Sequence, residues 1–286
     1  MAQQKYLHQR PIQNPFSSSH LSNSSLSNRP ISLLSRNGLL LLLLALLVIL
    51  GVFLPWAGSP LFPFPTNTLS PSQSKWRDYS LAQAVQFAAK NGTVIVCAVS
   101  YAYLPFLNNW LISVSRQKHQ DKVLVIAEDY ATLYKVNERW PGHAVLIPPA
   151  FDSQTAHKFG SQGFFNFTAR RPQHLLQIVE LGYSVMYNDV DMVWLQDPFK
   201  YLEGRHDAYF MDDMTAVDLY LLPQAAFPTG GLYFKNKTWV KDTKGKHVII
   251  HNNYIVGFEK KIKRFRDYGL WLVDDHALES PLGNLE

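Results

Sequence analysis

The chain has 286 residues, 47% of them hydrophobic and 17% charged, which is enough apolar material for one sizeable core and unlike a disordered polyelectrolyte. Its net charge of +5 invites a nucleic-acid reading, but Lys5, Arg10, Arg29 and Arg36 supply four of those charges before residue 54, where no acidic residue stands. The remainder is close to neutral, so nucleic acid is not an expected partner. Cys97 is the only cysteine, which excludes an internal disulfide and any cysteine-built zinc or redox site.

Residues 1–37 are rich in Ser, Asn and Pro and lack apolar periodicity, the pattern of a disordered tail. Gly38 to Leu54 reads GLLLLLLALLVILGVFL without a charge and continues through Pro55, Trp56 and Ala57. A helix of ~20 apolar residues spans a bilayer core of ~30 Å, so 38–57 is expected to be a transmembrane signal-anchor. Arg29 and Arg36 precede it and the next basic residue after it is Lys75, which leaves the N-terminus cytosolic and the rest lumenal. A cleaved signal peptide is the competing reading, but its apolar region usually runs only ~7–15 residues. Residues 58–75, with Pro60, Pro63, Pro65 and Pro71, read as a lumenal stem. Asn91, Asn166 and Asn236 each begin a glycosylation triplet.

The remaining 76–286 read as one α/β domain. Ser80 and Gln83 form a capping-box pattern opening an Ala-rich helix that should stop at Asn91 and Gly92. TVIVCAVS (93–100), KVLVIAE (122–128) and HAVLIPP (143–149) are short apolar runs of the kind that make buried strands. Between the first two, Tyr103, Leu107, Trp110 and Val114 recur at helical spacing and predict an amphipathic crossover helix. Arg171 to Leu181 predicts a helix stopped by Gly182, and SVMYNDVDMVW (184–194) begins as a fourth buried strand. Strands alternating with helices imply right-handed crossovers and a mainly parallel, Rossmann-like sheet flanked by helices. Ligands of such sheets sit beyond the carboxyl ends of the strands, so the residues after Val99 and Tyr187 are the first to inspect.

No phosphate-binding glycine loop, GxSxG or HExxH pattern is present, and Gly230 and Gly231 read as a turn pair. Asp189 and Asp191 form the only DxD triplet and follow directly on an apolar run. Two carboxylates at i and i+2 at a strand end can hold a hard divalent cation, which in turn can bridge the phosphates of a nucleotide-sugar. A polar turn with two solvated carboxylates is the blander reading. A metal-dependent phosphohydrolase is disfavoured, because one DxD supplies too few carboxylates for two metals. Between Lys235 and Arg266 ten basic residues face only Asp242 and Glu259, a stretch that could attract an acidic polysaccharide or a donor diphosphate but reads mainly as a solvated face for all but Lys260 or Lys261. Arg170 and Arg171 are candidates for binding a diphosphate, although exposed arginines at a helix start are the blander and preferred reading.

The stretches PIQNPF, ISLLSRNG, SQGFFNFTARRPQHLL, YNDVDMVWLQDPF, DAYFMDD and FPTGGLYFKN resemble the plant nucleotide-diphospho-sugar transferases of glycosyltransferase family 77, most closely the rhamnogalacturonan II xylosyltransferases. The resemblance implies a GT-A type α/β fold, UDP-xylose as donor, Mn2+ or Mg2+, retention of anomeric configuration, a fucose residue of pectin as acceptor, and a Golgi membrane location among other Golgi glycosyltransferases. It further implies metal and donor contacts at Asp189 and Asp191, a metal ligand at His251, and a catalytic acidic pair at Asp212 and Asp213. For His251 a core or surface histidine, and for the acidic pair a solvated turn, remain the alternatives. After Ala216 the resembled family continues for several dozen residues, whereas Val217 follows here at once, so the fold is expected to be truncated in its second half. The competing function is that of a non-catalytic, membrane-anchored partner of full-length relatives.

Overall fold

The computed structural model describes residues 36–53, 70–150, 156–204, 206–211 and 220–285, and divides into a unit ending at Thr68 and a unit from Leu69 to Glu286. In the first unit, α1 (Arg36–Phe53) carries large apolar side chains from Leu39 to Leu50 that are all exposed. At ~1.5 Å per residue its 18 residues reach ~27 Å. Among the described residues no helix is long and apolar enough to cross a membrane. The expected span over 38–57 is thus represented only to Phe53, and 54–57 lie outside the described residues.

The second unit begins inside the expected stem. α2 (Pro71–Arg77) has a complete capping box between Ser70 and Gln73 and buries Trp76, so ordered packing starts before residue 76. α3 (Leu81–Ala88) opens on the predicted Ser80–Gln83 box and ends slightly early, with Asn91 and Gly92 taking the left-handed turn conformation that leads into the first strand. The main sheet comprises β1 (Thr93–Val99), β2 (Val123–Ala127), β3 (Ala144–Leu146) and β4 (Ser184–Tyr187), all parallel in the order β3-β2-β1-β4. The helices that connect them are α4 (Leu104–Arg116), α5 (Tyr130–Arg139), and α6 (Gln162–Thr168) with α7 (Arg171–Glu180).

Side chains alternate across a strand, and the two faces of this sheet feed two apolar clusters. Ile95, Cys97, Val99, Val123 and Val125 join Phe106, Leu107, Trp110 and Val114 of α4 in one cluster. Val94, Val96, Ala98, Leu124 and Ile126 join Ala84, Val85 and Ala88 of α3 and Ile178 of α7 in the other. Each large apolar side chain fully buried in these layers contributes about 1.5–3 kcal/mol. α4 departs from the amphipathic expectation, since ten of its 13 residues are buried. Its polar face is covered by the C-terminal segment: Asn109 donates to the Leu270 carbonyl and accepts from the Leu272 amide, and Asn108 donates to the Gly283 carbonyl.

β4 corrects a second expectation. It is an edge strand with no fully buried residue, because β1 pairs it on one side and no described strand pairs it on the other. The rest of the unit forms two small sheets. β5 (Met192–Trp194) pairs antiparallel with β8 (Ile249–His251), and β6 (Tyr209–Met211) pairs parallel with β7 (Tyr220–Leu222). Residues 212–219 join β6 to β7 and lie outside the described residues, as does the junction after Ala216. Parallel strands are usually joined by about a dozen residues or more, so this connection is short. α8 (Gly230–Lys235), α9 (Lys237–Asp242), α10 (Phe258–Asp267) and α11 (Val273–His276) complete the chain.

Candidate active site

The chain leaves β4 at Tyr187 and turns through Asn188, Asp189, Val190 and Asp191 into β5. Asn188 is buried and holds the turn from both sides: its amide donates to the Val96 carbonyl of β1, and its side-chain oxygen accepts from the Trp194 indole at 2.8 Å. The antiparallel register sets Met192 opposite His251, which brings the end of β8 beside Asp191. The Asn252 amide then donates to the Asp191 carbonyl, the Asn252 side chain to the Lys261 carbonyl, and Arg264 to Asn252 and Asn253. Gly230 sits against this segment so closely that a Cβ there would collide with the His251 and Asn253 carbonyl oxygens. The glycine pair expected to be a plain turn therefore permits a close approach of α8 to the backbone carrying His251.

Asp189, Asp191 and His251 each offer one ligand atom within 4.8 Å of the others. His251 Nε2 lies 3.5 Å from Asp191 Oδ1 and 3.7 Å from Asp189 Oδ2. Ligand atoms on adjacent corners of an octahedron with ~2.1 Å metal bonds are roughly 3 Å apart, so slight contraction would close this set around one cation. Two carboxylate oxygens and an imidazole suit manganese or magnesium rather than a soft metal, and the donor set fits the divalent cation expected from the sequence.

The other oxygen of each carboxylate is engaged by a basic side chain. Lys261 Nζ donates to Asp191 Oδ2 at 2.5 Å, and Arg171 donates to Asp189 Oδ1 at 2.8 Å, an oxygen that also accepts from the Tyr187 hydroxyl at 3.0 Å. Burial pushes the Asp191 carboxyl up, but His251 and Lys261 outweigh it and hold that carboxyl below its ordinary value. Burial likewise lowers His251, while Asp191 and Asp189 outweigh it and raise the imidazole above its ordinary value.

These groups line a cleft of about 270 Å³ at the carboxyl ends of β1 and β4, bounded by Ser100 and Tyr103 on one side and by Phe164 and Phe167 of α6 on another. Arg170 fixes the approach of α7 to this cleft by donating to Glu128, to the Pro149 carbonyl and to the Ile147 carbonyl, at the ends of β2 and β3. Glu128 is buried, and burial raises it to about 7 against the opposing pull of Arg170. His174, one turn along α7, is lowered to about 4 by burial and by Arg170.

The structure thus brings together Asp189, Asp191 and His251. It places Lys261, not Lys260, in the cleft, since Lys260 is exposed and does not line it. Phe258, Ile262 and Phe265 mark the inner stripe of α10, and Lys261 shares that side, a helical-spacing signal that separates the two lysines. Of the two readings of Arg171, the exposed arginine is the one the structure departs from, because the side chain reaches Asp189 and lines the cleft. The signal was topological: the first residue of a crossover helix lies at the carboxyl end of the sheet, where ligands bind. Asp212 and Asp213 lie outside the described residues.

Residues 118–220 match the model of the nucleotide-diphospho-sugar transferase family. The chain is 71% identical to the Arabidopsis thaliana UDP-D-xylose:L-fucose alpha-1,3-D-xylosyltransferase MGP4, in an alignment that takes in the whole of both chains. The chain belongs to the nucleotide-diphospho-sugar transferase family. Within it, UDP-D-xylose:L-fucose alpha-1,3-D-xylosyltransferase 1 of the same plant is 64% identical over 96% of this chain and 98% of its own. A Dictyostelium discoideum UDP-galactose:fucoside alpha-3-galactosyltransferase is 24% identical over 44% of this chain and 31% of its own. No solved structure gives a match. The alignment with MGP4 runs over 362 positions whereas this transferase chain has 286 residues, so at least 76 internal positions are opposite no residue of it.

Proposed function

We propose that this chain is a GT-A type xylosyltransferase that binds UDP-D-xylose with Mn2+ or Mg2+ and moves the xylosyl group to an L-fucose residue of a pectic glycan. The observation that carries the donor half is the convergence of Asp189, Asp191 and His251 at the carboxyl edge of the parallel sheet. Asp189 Oδ2, Asp191 Oδ1 and His251 Nε2 would hold the cation. When bound there, it neutralises charge that builds on the departing diphosphate. The acceptor hydroxyl oxygen bonds to the xylose anomeric carbon, the bond from that carbon to UDP breaks with the electron pair going to the UDP oxygen, and the hydroxyl proton passes to that departing oxygen. Arg171 and Lys261 offer cationic donors in the same cleft. The carry-over of the substrate pair rests on the named activity of relatives that align with the whole chain or nearly so.

The reading includes a type II Golgi membrane placement with residues 38–57 as anchor. Its support is a helix apolar on every face from Leu39 to Leu50, with basic residues only on its N-terminal side until Lys75. Asn91, Asn166 and Asn236 are exposed, as lumenal glycosylation requires.

A second reading has an observation of its own. The unfilled alignment positions, the edge of β4 that no described strand pairs, and the short β6–β7 connection favour a chain that keeps its donor site and lacks part of its acceptor wall, working as a non-catalytic, membrane-anchored partner of full-length relatives. The full chain and a version with the relatives' extra segment restored are compared for xylose transfer from UDP-xylose to a fucoside. Restoration is expected to raise transfer at least ~100-fold, because acceptor positioning is a large part of the barrier. Equal transfer by both would remove the second reading, and transfer by neither would overturn the function itself.

A further inference from the structure

Every basic group at the carboxylate pair touches a different oxygen from the one that faces His251. Asp189 gives Oδ1 to Arg171 and turns Oδ2 to His251, while Asp191 gives Oδ2 to Lys261 and turns Oδ1 to His251. The two negative charges are therefore already matched by two positive ones in direct contact. Both cations also line the cleft, with side chains about one quarter exposed, so they remain within reach of a ligand there. A divalent cation entering the gap at His251 would meet a site of no net negative charge, with an ammonium and a guanidinium a few ångströms away. Opposite charge from a diphosphate would draw the two basic groups away from the carboxylates and restore the balance.

We propose that Arg171 and Lys261 are exchangeable counter-ions that pass from the carboxylates to the nucleotide diphosphate and so make divalent-cation binding depend on nucleotide. The inference rests on the metal reading of Asp189, Asp191 and His251. It is distinct from an orienting role, in which the same contacts hold the carboxylates in place for the metal and their loss weakens metal binding, commonly by ~10–100-fold. The two roles predict opposite signs. Arg171 separates them cleanly, because the Tyr187 hydroxyl still holds Asp189 Oδ1 when the guanidinium is gone.

The test uses the full chain in detergent and measures Mn2+ affinity calorimetrically, with and without saturating UDP. UDP is expected to tighten Mn2+ binding by about 100-fold in the unmodified protein. Arg171→Gln and Lys261→Gln, which remove charge and keep an amide donor, should each tighten Mn2+ alone by about tenfold and cut the gain from UDP to about tenfold. Lys261→Arg, which keeps the charge, should behave as the unmodified protein. Unchanged or weaker Mn2+ binding by both glutamine variants would overturn the proposal in favour of orientation. The paired change Asp189→Asn with Asp191→Asn distinguishes the two levels. If it leaves Mn2+ affinity in UDP unaltered, the metal reading itself fails. If it abolishes binding while Arg171→Gln and Lys261→Gln leave the coupling intact, only the counter-ion proposal fails.

Discussion

The parallel sheet and the elements after Trp194 differ in how completely they are covered. β1 and β2 are buried almost throughout and packed on both faces, whereas β6 and β7 form a two-stranded sheet with Phe210, Tyr220 and Leu221 exposed. The first region gets its stability from layered apolar burial. The second joins the same apolar cluster through Phe227, Ile250 and Phe265, and it is also tied to the first by directed hydrogen bonds, such as Asn109 donating to the Leu270 carbonyl and the Asn252 amide donating to the Asp191 carbonyl. The site lies where they meet: the carboxylates come at the end of the rigid sheet, and His251 and Lys261 come from the other region. A rigid sheet can thus keep its carboxylates in place while losses in the second region alter what stands opposite them.

The comparison breaks if stability is not concentrated in the sheet. Trp110→Ala empties a fully buried site between the sheet and the C-terminal segment and is expected to cost about 3–5 kcal/mol in chemical denaturation. A loss below about 1 kcal/mol would show that the sheet layer is not the main source of stability.

A pH experiment sharpens the same contrast at α7. The folded value of His174 is lowered to about 4, so its contribution is present above about 6.5 and lost as pH falls from there through about 4, because the unfolded chain takes up the proton first. Glu128 works in the opposite direction: with its folded value raised to about 7, its contribution is present below about 4.5 and lost as pH rises through about 7. His174→Gln should therefore flatten the acid limb of the stability profile by roughly 1–2 kcal/mol and leave the neutral limb in place. An unaltered acid limb would remove His174 from the account.

The smallest effect is expected in the second region. Phe210→Ser on the exposed face of β6 should change stability by no more than about 0.5 kcal/mol, as for surface positions generally. A cost of about 2 kcal/mol or more would mean that this face is covered in the folded protein, and the contrast between the regions would narrow.

Much of the first region was legible because continuous apolar runs of strand length, separated by helical spacing, leave few alternatives to a parallel sheet. The runs at Thr93, Val123 and Ala144 became β1, β2 and β3, and the triplet at Asp189 fell at the carboxyl end of β4, where a ligand site was expected. Burial of β4 was not legible, because a strand is central or peripheral according to its neighbours and not to its own residues. The polar face of α4 misled for a related reason: Asn108 and Asn109 look solvent-facing until a segment about 160 residues away supplies their partners. Local pattern alone thus determined the mainly parallel alternation of strands and helices, the apolar helix near the N-terminus, and the place of the carboxylate pair just after a strand. Tertiary structure decided that Lys261 and not Lys260 reaches Asp191, that Arg171 turns inward, and that Gly230 serves a close approach. These are matters of which surfaces meet, and they depend on contacts between residues far apart in the chain, which spacing along it does not record.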